Sequence, residues 1–391
     1  MRPRTRTALT TALALGVLGL GAGPLTGPAL ARPGSPAGAG TKVCAAERPG
    51  TAGPDAAALC AALDGLPDGI ATAALVRVGG DGSWHGAAGV RDLRTGSGVL
   101  EHGRFRAGSV TKVVTASVVL QLAAEGRIDL DAPVETYLPD LLPPSFTEPV
   151  TVRHLLDFTS GLQPGASTGA TVEEGYPRRF ETTTPQEVVA TAVAKGPAYS
   201  PGARQTYGNI GYTVLAMLIE EVTGDTYAHQ ARVRILKPLG MRHTSFPTGS
   251  DPRVHGPHNR GYDWIDGRLV DVTEWNVADR WAAGDMISTT ADLERLVVAL
   301  FGGRIVPRPQ LAEFFTVPDV PGATVAAGGM APHTVNGREI WGKTGSRPGY
   351  QTVVAATRDL SRTLVFSVNS TDAKGDQMGN VQRFAVPAFS R

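Results

Sequence analysis

Hydrophobic patterning divides the chain into strand-forming ends and a helical middle. Ile70–Val78 and Ser83–Leu93 are apolar runs around Gly79-Gly80-Asp81-Gly82, which predicts a β-hairpin. Glu339–Lys343, Gln351–Thr357 and Thr363–Asn369 have the same character near the C-terminus, the last two joined through Arg358–Arg362. Between these ends the period changes. Ser109–Glu125 predicts a helix closed by Gly126 and apolar on several faces, hence buried. Ile210–Thr223, closed by Gly224, predicts a second helix and Ala291–Phe301 a third, while Ala56–Leu63 fits a short one. Residues 163–184 are rich in Gly, Pro, Thr and Ser and predict a long loop; no internal repeat is present. One sheet built from both ends with a mostly helical region at roughly 110–280 is an α/β arrangement of the α+β type.

The N-terminus departs from this pattern. Arg2, Arg4 and Arg6 precede an apolar stretch from Ala8 to about Ala22, and Ala29-Leu30-Ala31 supplies a small-x-small site. That order predicts an export signal over residues 1–31, cut before Arg32, rather than a membrane anchor. Residues 32 to about 54 are Pro-, Gly- and Ala-rich and predict a mobile linker. Within the 32–60 segment Cys44 and Cys60, the only cysteines, are candidates for a disulfide in an exported protein. The expected folded domain covers 61–391. A formal net charge of +1 gives no reason to expect nucleic acid or an anionic membrane as partner.

Lysine is scarce in this chain, occurring at Lys42, Lys112, Lys195, Lys237, Lys343 and Lys374 among 37 basic residues. Arginine cannot lose its proton at useful pH, whereas a buried lysine can, so each lysine is a candidate for chemistry. Ser109-Val110-Thr111-Lys112 follows Gly108 at the start of the first long helix. A three-residue spacing places the Lys112 amine beside the Ser109 hydroxyl. A desolvated amine there can act as the base that a serine nucleophile needs, and the helix end offers N–H groups to an oxyanion. Tyr207-Gly208-Asn209 stands just before the second helix; a phenol between two ammonium groups can relay a proton, and the Asn209 amide can hold a substrate amide. Lys343-Thr344-Gly345-Ser346 ends a strand whose edge can pair with a peptide. Lys343 and Thr344 suit a substrate carboxylate, Gly345 permits close approach, and the Ser346 N–H can complete an oxyanion hole. Arg347, just beyond, is a candidate for a terminal carboxylate. Each motif alone is weak, and a capping serine, a packed tyrosine or a plain strand end explains it as well; their joint occurrence in this order is strong.

With these motifs the chain resembles the penicillin-recognising serine hydrolases: secreted DD-carboxypeptidases, class C β-lactamases and related esterases. The resemblance covers about residues 70–391. It includes Phe105–Gly108, Glu125–Leu130, His154–Leu162, Tyr207–Tyr212 and Ala282–Thr289. It implies a β-lactamase/transpeptidase-like fold, an antiparallel sheet flanked by helices with an all-helical part and the groove between them. It also implies a monomer acting on a small peptide, β-lactam or ester, without a cofactor. Ser109, Lys112 and Tyr207 are then the catalytic residues, with Asn209, Lys343, Thr344, Gly345 and Ser346 binding substrate. Secreted carboxypeptidases of this branch are the nearest in appearance. Two departures stand out: Lys343 replaces the histidine frequent in those carboxypeptidases, and Phe158 replaces the histidine of the common His-Thr-Ser-Gly stretch. Peptidase, β-lactamase and esterase remain open, as does a non-catalytic protein that binds cell-wall peptide.

Three rival motifs carry less. Gly337–Thr344 fits the phosphate-loop pattern, but its middle is bulky and Arg347-Pro348-Gly349 follows as a turn rather than a helix. Gly165-Ala166-Ser167-Thr168-Gly169 fits the nucleophile elbow without the strand and helix an elbow needs. His255 and His258 lie in a Pro/Gly loop, and no His-Glu-x-x-His occurs, so no metal is expected.

Overall fold

In the computed structural model the described residues are 40–48, 53–373, 375 and 378–390; the expected export signal and most of the linker lie outside them. The apolar runs at the two ends form one eight-stranded sheet. Its principal strands are β1 (Thr41–Arg48), β2 (Ala71–Gly80), β3 (Ser83–Asp92), β4 (Ala331–Val335), β5 (Arg338–Arg347), β6 (Tyr350–Ala356) and β7 (Arg362–Ser370). They lie in the order β1-β3-β2-β7-β6-β5-β4, each pair antiparallel, with Ser97–Gly98 added beside β3. The N- and C-terminal parts meet where β2 pairs with β7.

Alternation along the strands gives the sheet two apolar faces. Leu75, Val354 and Val365 point into the larger core, which also holds α2 (Thr111–Ala124), α4 (Ile210–Thr223) and α5 (Thr290–Phe301). Val76, Val353 and Phe366, one residue away in each strand, pack on the other face with Leu59 and Phe384. Those two side chains come from α1 (Ala56–Ala61) and α6 (Met378–Ala388). Helix α2 is buried without interruption from Thr111 to Leu120, so it runs through the core rather than over it.

Two expectations need correction. Residues 41–48 are not linker: they form edge strand β1, paired with β3 from Thr41↔Gly89 onward. The Cys44–Cys60 disulfide ties this strand to α1. The 163–184 segment is largely irregular, as predicted, but holds a helical turn at Val172–Gly175 capped by Thr171. Here a local cap decided what the lack of an apolar period concealed. Among the described residues no helix is long and apolar enough to cross a membrane.

Candidate active site

Ser109 sits in a 3₁₀ turn, Gly108–Val110, that leads into α2. Lys112, one turn on, is fully buried. Its amine donates to Ser109 Oγ at 3.2 Å, Asn209 Oδ1 at 2.7 Å and the Ala283 carbonyl at 2.7 Å. The 282–286 segment that supplies this carbonyl is pinned to the same helix. Thr115 donates to the Ala282 carbonyl at 2.6 Å, and the Met286 N–H donates to Thr111 at 3.1 Å. Ala282 takes a left-handed conformation, φ 58°, to present its carbonyl this way. Burial pushes the Lys112 amine down to about 8; Lys343 and Arg280 act in the same direction and Tyr207 opposes them. Removed from water, the amine has become a base able to work near neutrality.

Tyr207 faces this amine from the loop before α4. The Lys112 and Lys343 amines lie 5.1 and 4.9 Å from its ring centre. Burial raises the phenol, but the two ammonium charges and hydrogen bonds with Ser109 and Lys112 outweigh it and bring the group to about 7. The residue is 44 % exposed overall. Its ring edge therefore lines open groove, while its hydroxyl lies deeper, where burial is the largest single influence and only the summed charges and hydrogen bonds overcome it. The loop is held by Gln205, whose amide donates to the Asp157 and Val325 carbonyls and accepts from the Thr324 and Val325 N–H groups. Behind the ring stands Phe158, 4.7 Å from Tyr207 and 5.2 Å from Tyr212 between centroids. Phe158 has φ 65°, a left-handed turn at the end of the short helix α3 (Val152–Leu156).

Lys343, Gly345 and Arg347 share the buried face of β5, while Thr344 is exposed. Gly345 and Gly108 allow the strand and the helix start to touch. A Cβ on Gly345 would stand 2.0 Å from the Ala107 carbonyl and 3.1 Å from Ser109 N; one on Gly108, at φ 52°, would stand 2.5 Å from Ser346 N. No side chain fits there, so β5 and the start of α2 meet backbone to backbone, with Ser109 N and Ser346 N both at the contact. Gly329, at φ 72°, gives the same freedom where Lys343 and Tyr207 meet, with a Cβ position 2.9 and 3.0 Å from them. Strand β4 pairs with β5 only from Arg338 to Gly342, which leaves the Lys343–Arg347 edge free of a β4 partner.

The structure thus brings Ser109, Lys112, Tyr207, Asn209, Lys343, Gly345 and Ser346 into one groove, with exposed Thr344 on its strand. Arg347 is the last residue of β5 rather than beyond it, and is buried. The contributions of Gln205, Ala283, Phe158 and Gly329 were not read from sequence. Besides Phe158, visible as a departure from the family pattern, only the Gly328-Gly329 pair carried a signal, since paired glycines mark close backbone approach. The rival motifs do not form the sites they resemble. Gly337–Thr344 is the β4–β5 turn and strand, with no helix after it. Gly165–Gly169 is irregular. His255 bonds to Asp251 at 2.5 Å and His258 to the Gly256 carbonyl at 2.8 Å.

A family model described as Beta-lactamase matches residues 61–386. The putative penicillin-binding protein PbpX of Bacillus subtilis (strain 168) is 27 % identical over 277 residues, 71 % of this chain and 65 % of that protein. Esterase EstB of Burkholderia gladioli is 32 % identical over 225 residues, 53 % of this chain and 56 % of EstB. The match therefore spans less than two thirds of either relative's length. A crystal structure of a D-stereospecific amidohydrolase from Streptomyces sp. superposes with a TM-score of 0.74 at 32 % identity, covering 85 % of this chain and 98 % of that one.

Proposed function

This chain belongs to the beta-lactamase family of serine hydrolases, and from that premise we propose that it cleaves amide bonds next to D-residues, most naturally as a D-alanyl-D-alanine carboxypeptidase on peptidoglycan-type peptides. The single observation that carries the proposal is the Lys112 amine within 3.2 Å of Ser109 Oγ at the bottom of a groove that Tyr207 and Lys343 close. In this proposal Ser109 Oγ attacks the carbonyl carbon and its proton passes to the Lys112–Tyr207 pair. The N–H groups of Ser109 and Ser346 hold the oxyanion. Tyr207 returns the proton to the leaving nitrogen as the C–N bond breaks. Water, deprotonated by the same pair, then releases the acyl group from Ser109.

The open Lys343–Arg347 edge suits an extended peptide, which favours peptide or amide substrates over compact esters. The likeness to a D-stereospecific amidohydrolase supports D-configuration at the reacting residue. An export signal over residues 1–31 would carry the enzyme to such substrates outside the membrane. Esterase or β-lactamase action is the second reading, supported by the likeness to EstB, because acylation of Ser109 needs the same groups. Turnover of the chain on a D-Ala-D-Ala peptide, a D-amino acid amide, a chromogenic cephalosporin and a nitrophenyl ester separates these. The expected order puts the D-peptide or D-amide first in kcat/KM. Turnover of the ester or cephalosporin alone would overturn the peptidase assignment and leave the hydrolase.

A further inference from the structure

A second, partly open cleft lies beyond the Arg347 end of β5. It is lined by Thr168–Val172, Trp275, Asp279, Arg280, Arg347 and Pro348. Three of its buried side chains carry polar atoms without a hydrogen-bond partner among the described residues: Arg347 Nε, Trp275 Nε1 and Asp279 Oδ1. Their residues are 5 %, 3 % and 3 % exposed. Orphaned donors and acceptors at this depth are unfavourable unless something else satisfies them.

The charges indicate what that is. Arg280 is paired with Asp279 Oδ2 at 3.2 Å, and the Thr168 N–H donates to the same oxygen at 3.3 Å, fixing the wall of the cleft. Arg347 makes no hydrogen bond or close ion pair among the described residues; the Asp279 carboxylate, already paired with Arg280, is its main counter-charge, so two guanidiniums share one carboxylate in the cleft. Nearby Asp285 adds to this only in part, because burial lifts its carboxyl to about 7. With two guanidiniums to one carboxylate the cleft keeps an excess of positive charge, which calls for an anion, and the planar fork of Arg347 fits a carboxylate best. Trp275 Nε1 is a second donor, and Asp279 Oδ1 is left to accept an N–H from the same ligand.

The position along β5 says which part of a substrate reaches it. Lys343 stands beside Tyr207, on the leaving-group side, and Arg347 lies four residues further along β5, directly after Ser346, whose backbone nitrogen is at the contact with the start of α2. A substrate laid along this edge with its leaving group at Tyr207 directs its acyl portion toward Arg347. We propose that the Arg347–Trp275–Asp279 cleft is an acyl-side subsite for a side-chain carboxylate, so that the preferred substrates carry an anionic D-residue such as D-glutamate on the acyl side. Arg347 then recognises an acyl-side carboxylate rather than a terminal one. The inference rests on the hydrolase reading above.

The test uses two compounds that differ only in charge: the α-amide of D-glutamate and the α-amide of D-glutamine. Each is titrated as a protectant of Ser109 against a fluorophosphonate, with the labelled residue identified by mass spectrometry. The expected result is protection by the D-glutamate amide at a concentration at least tenfold lower. In a folded Arg347→Gln variant that advantage falls to about one, while protection by the neutral amide is unchanged. Equal or weaker protection by the charged compound in the unmodified protein overturns the subsite while leaving the hydrolase intact. This arm needs no variant, so a misfolded Arg347→Gln does not blunt it. Failure of the fluorophosphonate to label Ser109 overturns both proposals.

Discussion

One phenol is flanked by two lysines that come from different kinds of structure. Lys112 projects from a helix buried on all sides, and its amine has three acceptors from three separate segments. Lys343 projects from a strand next to the open groove, and its amine donates to the carbonyl of its own neighbour, Thr344, at 2.6 Å. The helix removes its lysine from water and so makes the proton easy to lose. The strand holds its lysine as a charge beside Tyr207 and leaves it near the position of a substrate. In the proposed mechanism the first lysine moves a proton and the second holds a positive charge beside Tyr207.

That contrast can be broken by substitution. Ser109→Ala, which removes the proposed nucleophile, should lower turnover by roughly 10⁴-fold or more and abolish covalent labelling, with the circular dichroism spectrum retained. Next in size is Lys112→Arg, expected to lower kcat/KM by about 10²–10⁴-fold, because a guanidinium cannot accept the Ser109 proton. The same substitution at Lys343 should cost about tenfold or less, since a fixed cation near Tyr207 survives; equal losses at the two positions would erase the distinction. The smallest effect is expected for Phe158→Leu, which removes an aromatic contact worth about 0.5–1.5 kcal/mol from behind Tyr207. It should reduce the rate several-fold and move the pH profile, whereas a change in thermal stability alone would make Phe158 a packing residue only.

Sequence and structure agree best where chemistry and local pattern coincide. The uninterrupted burial of α2 was legible because valines and leucines occupy every face of the Ser109–Glu125 run. Strands β2, β3, β5, β6 and β7 were legible from their apolar runs, whereas edge strand β4 (Ala331–Val335) was not read. Edge strand β1 was not: Thr41–Arg48 lies in a Pro/Gly/Ala-rich context, and its pairing with β3 is a long-range choice that local composition does not encode. Phe158 was visible as a departure, but its stacking on Tyr207 depends on a left-handed turn that a bulky residue seldom adopts. Likewise the Ala283 carbonyl, a ligand of the Lys112 amine, is a backbone atom and leaves no side-chain signature. The unpaired state of Arg347 needed three segments, 168–172, 275–280 and β5, to be assembled before it could be seen.

The account depends on proton transfer within the Lys112–Tyr207 pair, whose groups are shifted to about 8 and about 7. The pH dependence of kcat/KM for acylation of Ser109 tests this directly, since it reports ionisations of the free enzyme. Both groups fall below their ordinary values, so the competent, less protonated pair should accumulate as pH rises through neutrality. The two titrate as a coupled unit. The predicted result is a rate that climbs with pH and levels off, with an apparent midpoint between about 7 and 8, and a limb that is lost in Lys112→Arg. A midpoint near 10, where free phenols and lysines titrate, or a limb unchanged in Lys112→Arg, would contradict it.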